Sequence, residues 1–596
     1  MLILASFNSC NRVLDTEDQS AIDGESLFND IGLTEFYLNH LYLLAIPQQF
    51  DMLENADLTN DALGGGDFIA GTVLDPVEGS DQQEGTGNYT RETYADVRNI
   101  ITFIEGVETG TLDADLKDSY IGQAYFLRAY TYWDLVLYYG GVPIVDKILD
   151  INEGSANLLN RSSAAECVDF IVSDLDKSIE LLTGKSLETG RITASAAAAF
   201  KGRVLLFFAS PQFDPNGVNA VDGIQSRWQA AYDANLEAKA IAESEGHDLY
   251  PNYEDIFLSE DNEEVIMGVK FSTGLRTHGY DNSVRPFSVA NQYQGNGQPT
   301  WNFVKAFPMA DGTSIEESLS YDSTVYWVDR DPRFYSTVAY NGSNWKFTGR
   351  NGDYQWTYQN NDQESGVIPA TGFYLKKNVN TSLDKASTRQ TPTDWIEIRF
   401  AEVLLNLAEA ANEVGETNTA LDQLYAIRAR AGIEQGPGNY GITASNKADL
   451  RKVIMNERRI ELSFENKRHF DLRRRNLFIN GVESVGNGIN GSRREGIQTM
   501  LDTDYVMTLD PSATTDEEAL VSFETNIRDT VNWSDPMKLD EYFNYTLEYQ
   551  DGEAGGINYL QPKYNFFYLP TNATVRNENL EQTINWLDGT FDPLAQ

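Results

Sequence analysis

The side chains with the widest chemical scope lie in three loops that mix aromatic rings with amides and charges. The first spans 64–91 and offers Asp67, Phe68, Asn88, Tyr89 and Arg91. The second spans 278–296 with Tyr280, Asn291 and Tyr293, and the third spans 340–358 with Asn341, Trp345, Tyr354, Trp356 and Tyr358. A flat ring covers an apolar C–H face while Asn, Asp and Arg reach a polar rim, so these residue types together suit a polar, ring-shaped ligand. Loops held by a rigid scaffold are where such groups are best placed. Other tryptophans read differently. Trp133, Trp395 and Trp586 are assigned to the core, Trp301 opens a short helix Trp301–Phe307 where packing is the better reading, and Trp327 beside Arg330–Arg333 is ambiguous.

Reaction chemistry has less support. There is no Gly-rich phosphate loop and no Gly-x-Ser-x-Gly elbow. His40, His247, His278 and His469 are scattered without metal-ligand spacing. A pair of carboxylates could serve glycoside hydrolysis, but among 90 Asp and Glu residues some pair always exists, so the number decides nothing. No cofactor is expected. The acidic loops leave a structural calcium open, although their Asp residues lack calcium-loop spacing.

The elements that must position these loops are mostly helices. The chain has 596 residues, 41% of them hydrophobic, and a net charge of −45. It can bury a core, while its sign opposes broad nucleic-acid binding and docking on anionic lipid. Apolar residues recur at helical spacing over 25–60, 91–108, 113–139, 164–183, 193–209, 226–245, 394–414, 417–431 and 447–464. Gly140-Gly141-Val142-Pro143 ends one helix, with Gly for a left-handed cap and Pro against continuation. The Ala-rich 193–209 pairs naturally with 226–245, and Ile398 to Gly432, turning at Gly415, looks like a tetratricopeptide-type hairpin. Between 265 and 390 the periodicity fades, with strands expected at Val265–Phe271 and Ser336–Tyr340. Residues 499–560 hold 14 acids and two bases, Arg528 and Lys538, and read as a solvated insertion. Residues 424–475 invert the balance, with 12 basic and 6 acidic residues that predict a salt-bridge scaffold, including pairs such as Arg458 with Glu461 within one helix. The expected fold is mainly α, a tetratricopeptide-like helical-hairpin scaffold with an irregular, loop-rich binding face and a few short strands.

The start of the chain carries its own signal. Phe7-Asn8-Ser9-Cys10 looks like a bacterial lipobox, in which Cys10 is lipidated and a polar tether follows. No Lys or Arg precedes the apolar run from Met1, which points to a true start further upstream. Cys167 then has no partner and reads as a small buried hydrophobe.

Recognition becomes specific at Ile454-x-x-Glu457-Arg458-Arg459-x-Glu461-Leu462-x-x-Glu465-x-x-Arg468-x-x-Asp471-Leu472-Arg473-Arg474. This run resembles the signature of the SusD/RagB family. Gly122 to Pro143, Arg191 to Phe208, Pro299 to Asp311-Gly312 with Arg330-Asp-Pro-Arg333, Ile398 to Gly432, and Phe567-Tyr-Leu-Pro570 through Trp586 resemble further family segments. The resemblance implies lipid-anchored, outer-membrane, cell-surface proteins that bind oligo- or polysaccharide without catalysis. They cap a SusC-like TonB-dependent barrel as a lid. It divides the chain into a signal remnant and tether (1–24), an N-terminal scaffold (25–264) and a C-terminal part (265–596) holding the hairpin 394–432 and the insertion 499–560. The three loops then become glycan-binding candidates, with Trp345, Trp356 and Tyr293 expected to matter for retention and not for stability. Rival readings keep the fold with peptide or glycopeptide cargo, make it a glycoside hydrolase, or make it a protein-binding adaptor.

Overall fold

The computed structural model describes residues 27–46, 54–73, 91–150, 152, 154, 158–216, 223–292, 295–479, 488–552 and 555–595. Helices of seven or more residues are numbered here: α1 Ile31–Ala45, α2 Arg91–Thr109, α3 Ala114–Tyr139, α4 Ala164–Leu182, α5 Ala194–Ala209, α6 Gln225–Ser244, α7 Phe400–Val414, α8 Thr417–Arg430, α9 Lys447–Glu461, α10 Arg468–Arg474, α11 Thr503–Leu509 and α12 Asp516–Ser522. From α2 to α8 each helix packs on the next, α6 on α7 included. The 155 residues between those two helices therefore leave and rejoin one continuous stack of hairpins. The fold is mainly α, as its periodicity implies.

Local chemistry explains the helix ends. The Asp113 carboxylate accepts from the Leu116 amide (3.1 Å) to start α3. Ser163 and Glu166 form a capping box on α4. At the end of α3, Gly140 takes a φ of 71°, and a Cβ on it would lie 2.4 Å from Pro593, so glycine is required by close approach as well as by the turn. Gly202 of α5 meets Asn235 of α6 in the same way, and Asn235 donates to the Gly202 carbonyl (3.2 Å). Small residues let the two helices approach: Ala231, Ala234, Ala238 and Ala242 line the buried face of α6. Cys167 is buried in α4, and burial raises its thiol to about 11.

The strands are short and come in four antiparallel pairs: β1 Val265–Val269 with β6 Trp395–Arg399, β2 Val338–Ala339 with β5 Tyr374–Leu375, β3 Ser343–Asn344 with β4 Tyr354–Gln355, and β7 Glu495–Leu501 with β8 Phe543–Tyr549. Three expectations need correction. Residues 395–399 are strand, not the start of a helix, because β1 supplies their backbone partners and all five are buried. Most of Ser336–Tyr340 is not strand: Asp331 caps a helix over Pro332–Thr337, leaving two strand residues. The acidic block 499–560 is not merely solvated, since Phe523, Trp533, Tyr542 and Phe543 form a buried aromatic cluster.

The basic run is an internal ion-pair lattice. Glu461 faces Arg333 (2.8 Å), Arg399 (2.7 Å) and Arg430. Arg399 also reaches Glu264 (2.6 Å) and Glu465 (2.8 Å), and Arg333 reaches Asp331 and Glu457 (2.7 Å each). Arg458 does not pair with Glu461 along its own helix. It turns to Asp471 (2.9 Å), because both groups are buried where α9 and α10 meet. Burial alone would raise these carboxyls, yet the facing cations more than offset it and bring Glu402, Glu413 and Asp471 down to about 2.

Two outcomes follow. Replacing Glu461→Ala takes one shared carboxylate from three buried guanidiniums, which keep Asp331, Glu457, Glu264 and Glu465, and should cost about 3–5 kcal/mol of stability in urea unfolding; a loss under about 1 kcal/mol would refute the lattice. The depressed carboxyls leave the folded chain with fewer bound protons than the unfolded one once pH drops below the ordinary values of 4.5 and 3.8. Asp281 acts oppositely: burial raises it to about 6 despite Arg285, so its protonation stabilises the fold. Asp134 is raised likewise, while His278 and His469, held below 6.5 by burial, stay neutral where the unfolded imidazoles take up protons. The urea midpoint should therefore hold or fall slightly from about pH 7 to 5, then fall steeply from about 4.5 toward 2.

Candidate functional site

Hairpin β3–β4 organises the irregular face. Asn344 pairs with Tyr354 and Ser343 with Gln355, and the Trp345 amide donates to the Asp353 carbonyl (2.7 Å). Arg350 closes the turn by donating to Gln355 Oε1 (2.6 Å) and to the Trp345 carbonyl. Alternation along the strand sends Tyr354, Trp356 and Tyr358 to one side, where successive rings meet at 6.3 and 5.9 Å.

The acidic insertion then covers most of that side. Trp356 is only 4% exposed, edge-on to Trp533 at 5.1 Å and beside Phe543 at 5.9 Å. Tyr358 donates to Glu524 (2.9 Å), and Arg528 binds Asp362 (2.5 Å), which clamps the insertion onto the hairpin. Trp345 is 4% exposed against Phe347 at 4.6 Å. Neither tryptophan offers a free ring face, so both are corrected to core. Phe68 joins them, packed edge-on to Phe567 (5.4 Å) and Tyr564 (6.1 Å), as does Tyr280, whose buried hydroxyl donates to the Lys377 carbonyl (2.8 Å). Asn341 is buried too, accepting from the Thr357 and Tyr358 amides.

The remaining candidates separate. Asp67 is exposed and accepts from Thr72 Oγ1 (2.6 Å), in a segment seated against Asn558. Asn291 is exposed, with its amide on Thr388 Oγ1 (3.3 Å). Cys10, Asn88, Tyr89 and Tyr293 lie outside the described residues; Arg91 opens α2, and its side chain lies outside them as well. Tyr354 alone of the four rings in the third loop's candidate set stays half-exposed.

Tyr354 lines a cleft of about 330 Å³ between the hairpin, residues 327–340 and the insertion. Tyr335 and Tyr340 are its other half-exposed rings, with Asn344 and Asp329 exposed at the rim. Tyr340 is held flat by near-parallel stacking on Phe334 (5.4 Å, 14°) and Trp327 (6.1 Å, 17°). The Tyr335 hydroxyl donates to the Trp327 carbonyl (2.7 Å) and accepts from the Arg330 amide (3.1 Å). Beneath, the buried Arg330 guanidinium donates to the carbonyls of Tyr326, Val304 and Phe307. Trp327 is thus core that supports a cleft ring. A second cavity of about 320 Å³ lies where 187–193, 245–247 and 256–270 meet, lined by acids, Arg191, Lys270, His247 and mostly buried aliphatic residues, with no exposed Phe, Tyr or Trp ring. A third, of about 390 Å³, holds one half-exposed ring, Tyr125, among Lys117, Asp118, Lys177 and Glu180, and Lys177 lies over that ring (4.7 Å); of the three, the first alone groups several flat rings with polar groups at a rim.

Tyr335, Tyr340, Asn344 and Asp329 were not singled out from the sequence. The signal was Asp331-Pro332, a helix start that would have replaced the strand reading and turned Tyr335 toward the cleft. Nothing in the cleft forms a nucleophile–base pair. Buried His278 donates from Nε2 to the Thr393 carbonyl (2.8 Å) and accepts the Tyr280 amide at Nδ1 (3.2 Å), and burial lowers it to about 4. Among the described residues no group of three or more His, Cys, Asp or Glu could hold a metal ion.

A stack of tetratricopeptide-like hairpins presenting a ring-lined cleft on an inserted irregular lobe defines a binding protein built on a helical scaffold. The SusD family model matches residues 263–586, and a second model, described as starch-binding and associating with the outer membrane, matches residues 69–206. The chain belongs to the SusD family. It is 24% identical to SusD-like protein P38 of Formosa agariphila over 83% of this chain and 93% of that one. A SusD-like protein of Bacteroides fragilis shares the fold with a TM-score of 0.70 at 24% identity, covering 95% of this chain and 99% of that one. A SusD-like carbohydrate-binding protein of the same species follows at 0.65 and 20%, covering 93% and 100%.

The burial difference between neighbouring rings is directly measurable. Trp356→Ala should lose about 3–5 kcal/mol of stability as a large buried ring, and Tyr354→Ala less than about 1.5 kcal/mol. Equal losses in thermal unfolding would contradict this placement.

Proposed function

We propose that the protein captures oligo- or polysaccharide at the cell surface and passes it to a SusC-like TonB-dependent barrel, for which it acts as a lid. The observation that carries the reading is the cleft of Tyr335, Tyr340 and Tyr354 with Asn344 and Asp329 at its rim. A pyranose ring has an apolar C–H face that a tyrosine covers and equatorial hydroxyls that an amide and a carboxylate bind. Family membership supports the cargo, since the N-terminal match carries a starch-binding description and one structural neighbour is named carbohydrate-binding. In this reading Cys10 carries the lipid, and attachment comes from that lipid and the barrel. A chain of net charge −45 has no attraction to anionic headgroups.

Of the original candidates, Tyr354 is retained as a stacking residue. Asp67 and Asn291 remain proposed as outlying contacts for a polymer longer than the cleft. The cleft residues act by position alone: no step of bond cleavage is assigned to them.

Native affinity electrophoresis against a panel of plant and microbial polysaccharides, with peptides tested in parallel by calorimetry, decides the matter. The wild-type chain should be retarded by at least one polysaccharide. Tyr354→Ala combined with Asn344→Ala should weaken that retention about tenfold, on the order of 1.4 kcal/mol, with thermal unfolding near wild type. Unchanged retention in the double variant would remove the cleft from the reading. Peptide binding without polysaccharide binding would replace the cargo.

A further inference from the structure

Hairpin β7–β8 presents an edge that the fold does not use. Its register runs without a slip from Glu495 opposite Tyr549 to Leu501 opposite Phe543. The Gln550 amide donates to the Arg494 carbonyl and the Asp502 amide to the Tyr542 carbonyl, which sets the phase of the ladder. Asn544, Thr546 and Glu548 exchange their backbone bonds with β7, so Tyr545, Leu547 and Tyr549 turn N–H and C=O outward. The far edge of β7 is occupied: Ile497 donates to the Thr371 carbonyl (2.9 Å) and Gln359 to the Thr499 carbonyl (3.0 Å). No third strand pairs with β8 among the described residues.

Edge strands are ordinarily blunted by lysine, proline, a bulge or brevity. β8 is seven residues long, regular, and has none of these. Both of its faces are open, with Leu547 44% and Tyr549 51% exposed on one and Thr546 and Glu548 exposed on the other. The surrounding charge is mainly acidic, with Arg493 the basic group at the end of the edge, its guanidinium 3.9 Å from the Tyr549 ring centre and donating to the Asp551 carbonyl. Of the two bases in 499–560, Lys538 is taken by Glu541 (2.7 Å) and Arg528 by Asp362 (2.5 Å), while Asp540 and Glu548 stand exposed. A second copy of this chain would bring the same acids against them, so self-pairing is opposed.

We propose that the outer edge of β8 takes up an extended, basic polypeptide segment as an added strand. The outward N–H and C=O groups of Tyr545, Leu547 and Tyr549 hold its backbone. Its apolar side chains lie beside Leu547, and its Lys or Arg side chains, on the alternate face, meet Glu548. The segment so recognised alternates apolar and basic residues.

The probe is a capped, fluorescein-labelled nine-residue peptide alternating lysine and valine, followed by anisotropy with the full chain. Saturable binding is expected. It should weaken at least tenfold when every lysine is replaced by glutamate. Leu547→Pro removes an outward N–H and no bond to β7, and should cause a similar loss with an unchanged thermal midpoint. Should that variant fail to fold, Glu548→Lys decides: it should weaken the lysine peptide and strengthen the glutamate one. Absence of saturable binding overturns the proposal. So does equal binding of both peptides, indifference to Leu547→Pro and Glu548→Lys, or self-association of the wild-type chain that Leu547→Pro abolishes.

Discussion

The constraint on which the rest of the molecule depends is the buried charge lattice around Glu461. Three guanidiniums converge there from different parts of the chain: Arg333 from the irregular lobe, Arg399 from β6 and Arg430 from α8. Glu264, just before β1, ties Arg399 to Arg430, and Glu465 ties Arg399 to Lys377. Removing so many ions from water is costly, and only tight mutual pairing repays it. An apolar core of the same volume could be as stable, but it would accept small slips. A lattice of forked guanidiniums accepts one arrangement, because any displacement leaves a buried ion unpaired. The lobe that carries the cleft is therefore fixed to the scaffold at one angle.

That lattice also changes the meaning of the net charge. The basic run of 424–475 does not form a positive face on the surface, since Arg428, Arg451, Arg458, Arg468, Arg473, Arg474 and Arg475 are all buried. The arginines are drawn inward to hold the structure, and the acid excess is left outside. A chain of −45 can thus fold without self-repulsion at its centre. Strong acidity and an arginine-rich signature are two sides of one arrangement.

What was legible in the sequence is what is local. The hairpins were visible because small-residue stripes and glycine turns act within a few turns: the alanines of α5, Gly140 at the end of α3 and Gly415 between α7 and α8. β6 was misread because Trp395–Arg399 is strand only through β1, some 130 residues earlier. The site failed for the same reason. Trp345, Trp356 and Tyr354 share one short hairpin and one composition, and nothing in their spacing says which is covered. Trp533 and Phe543 decide it, from a segment that reads as acidic and solvated. Tyr340 could not be ranked above its neighbours either, because Trp327 and Phe334 hold its ring flat from residues outside its own loop.

The insertion consequently has two roles that cannot be separated. Its aromatic residues seal the inner part of the β3–β4 hairpin, and its segment around Trp533–Leu539 forms one wall of the cleft. Trp327 links the two roles, donating its indole N–H to the Pro536 carbonyl (3.1 Å) while stacking beneath Tyr340. The clamp of Arg528 on Asp362 and of Tyr358 on Glu524 fixes how far that wall stands from Tyr354. Cleft width is therefore set by contacts that a ligand in the cleft need not touch. A rigid scaffold can keep its lattice unchanged while a change in this one insertion reshapes the cleft, so that under the proposed function the fold and the choice of ligand rest on different contacts.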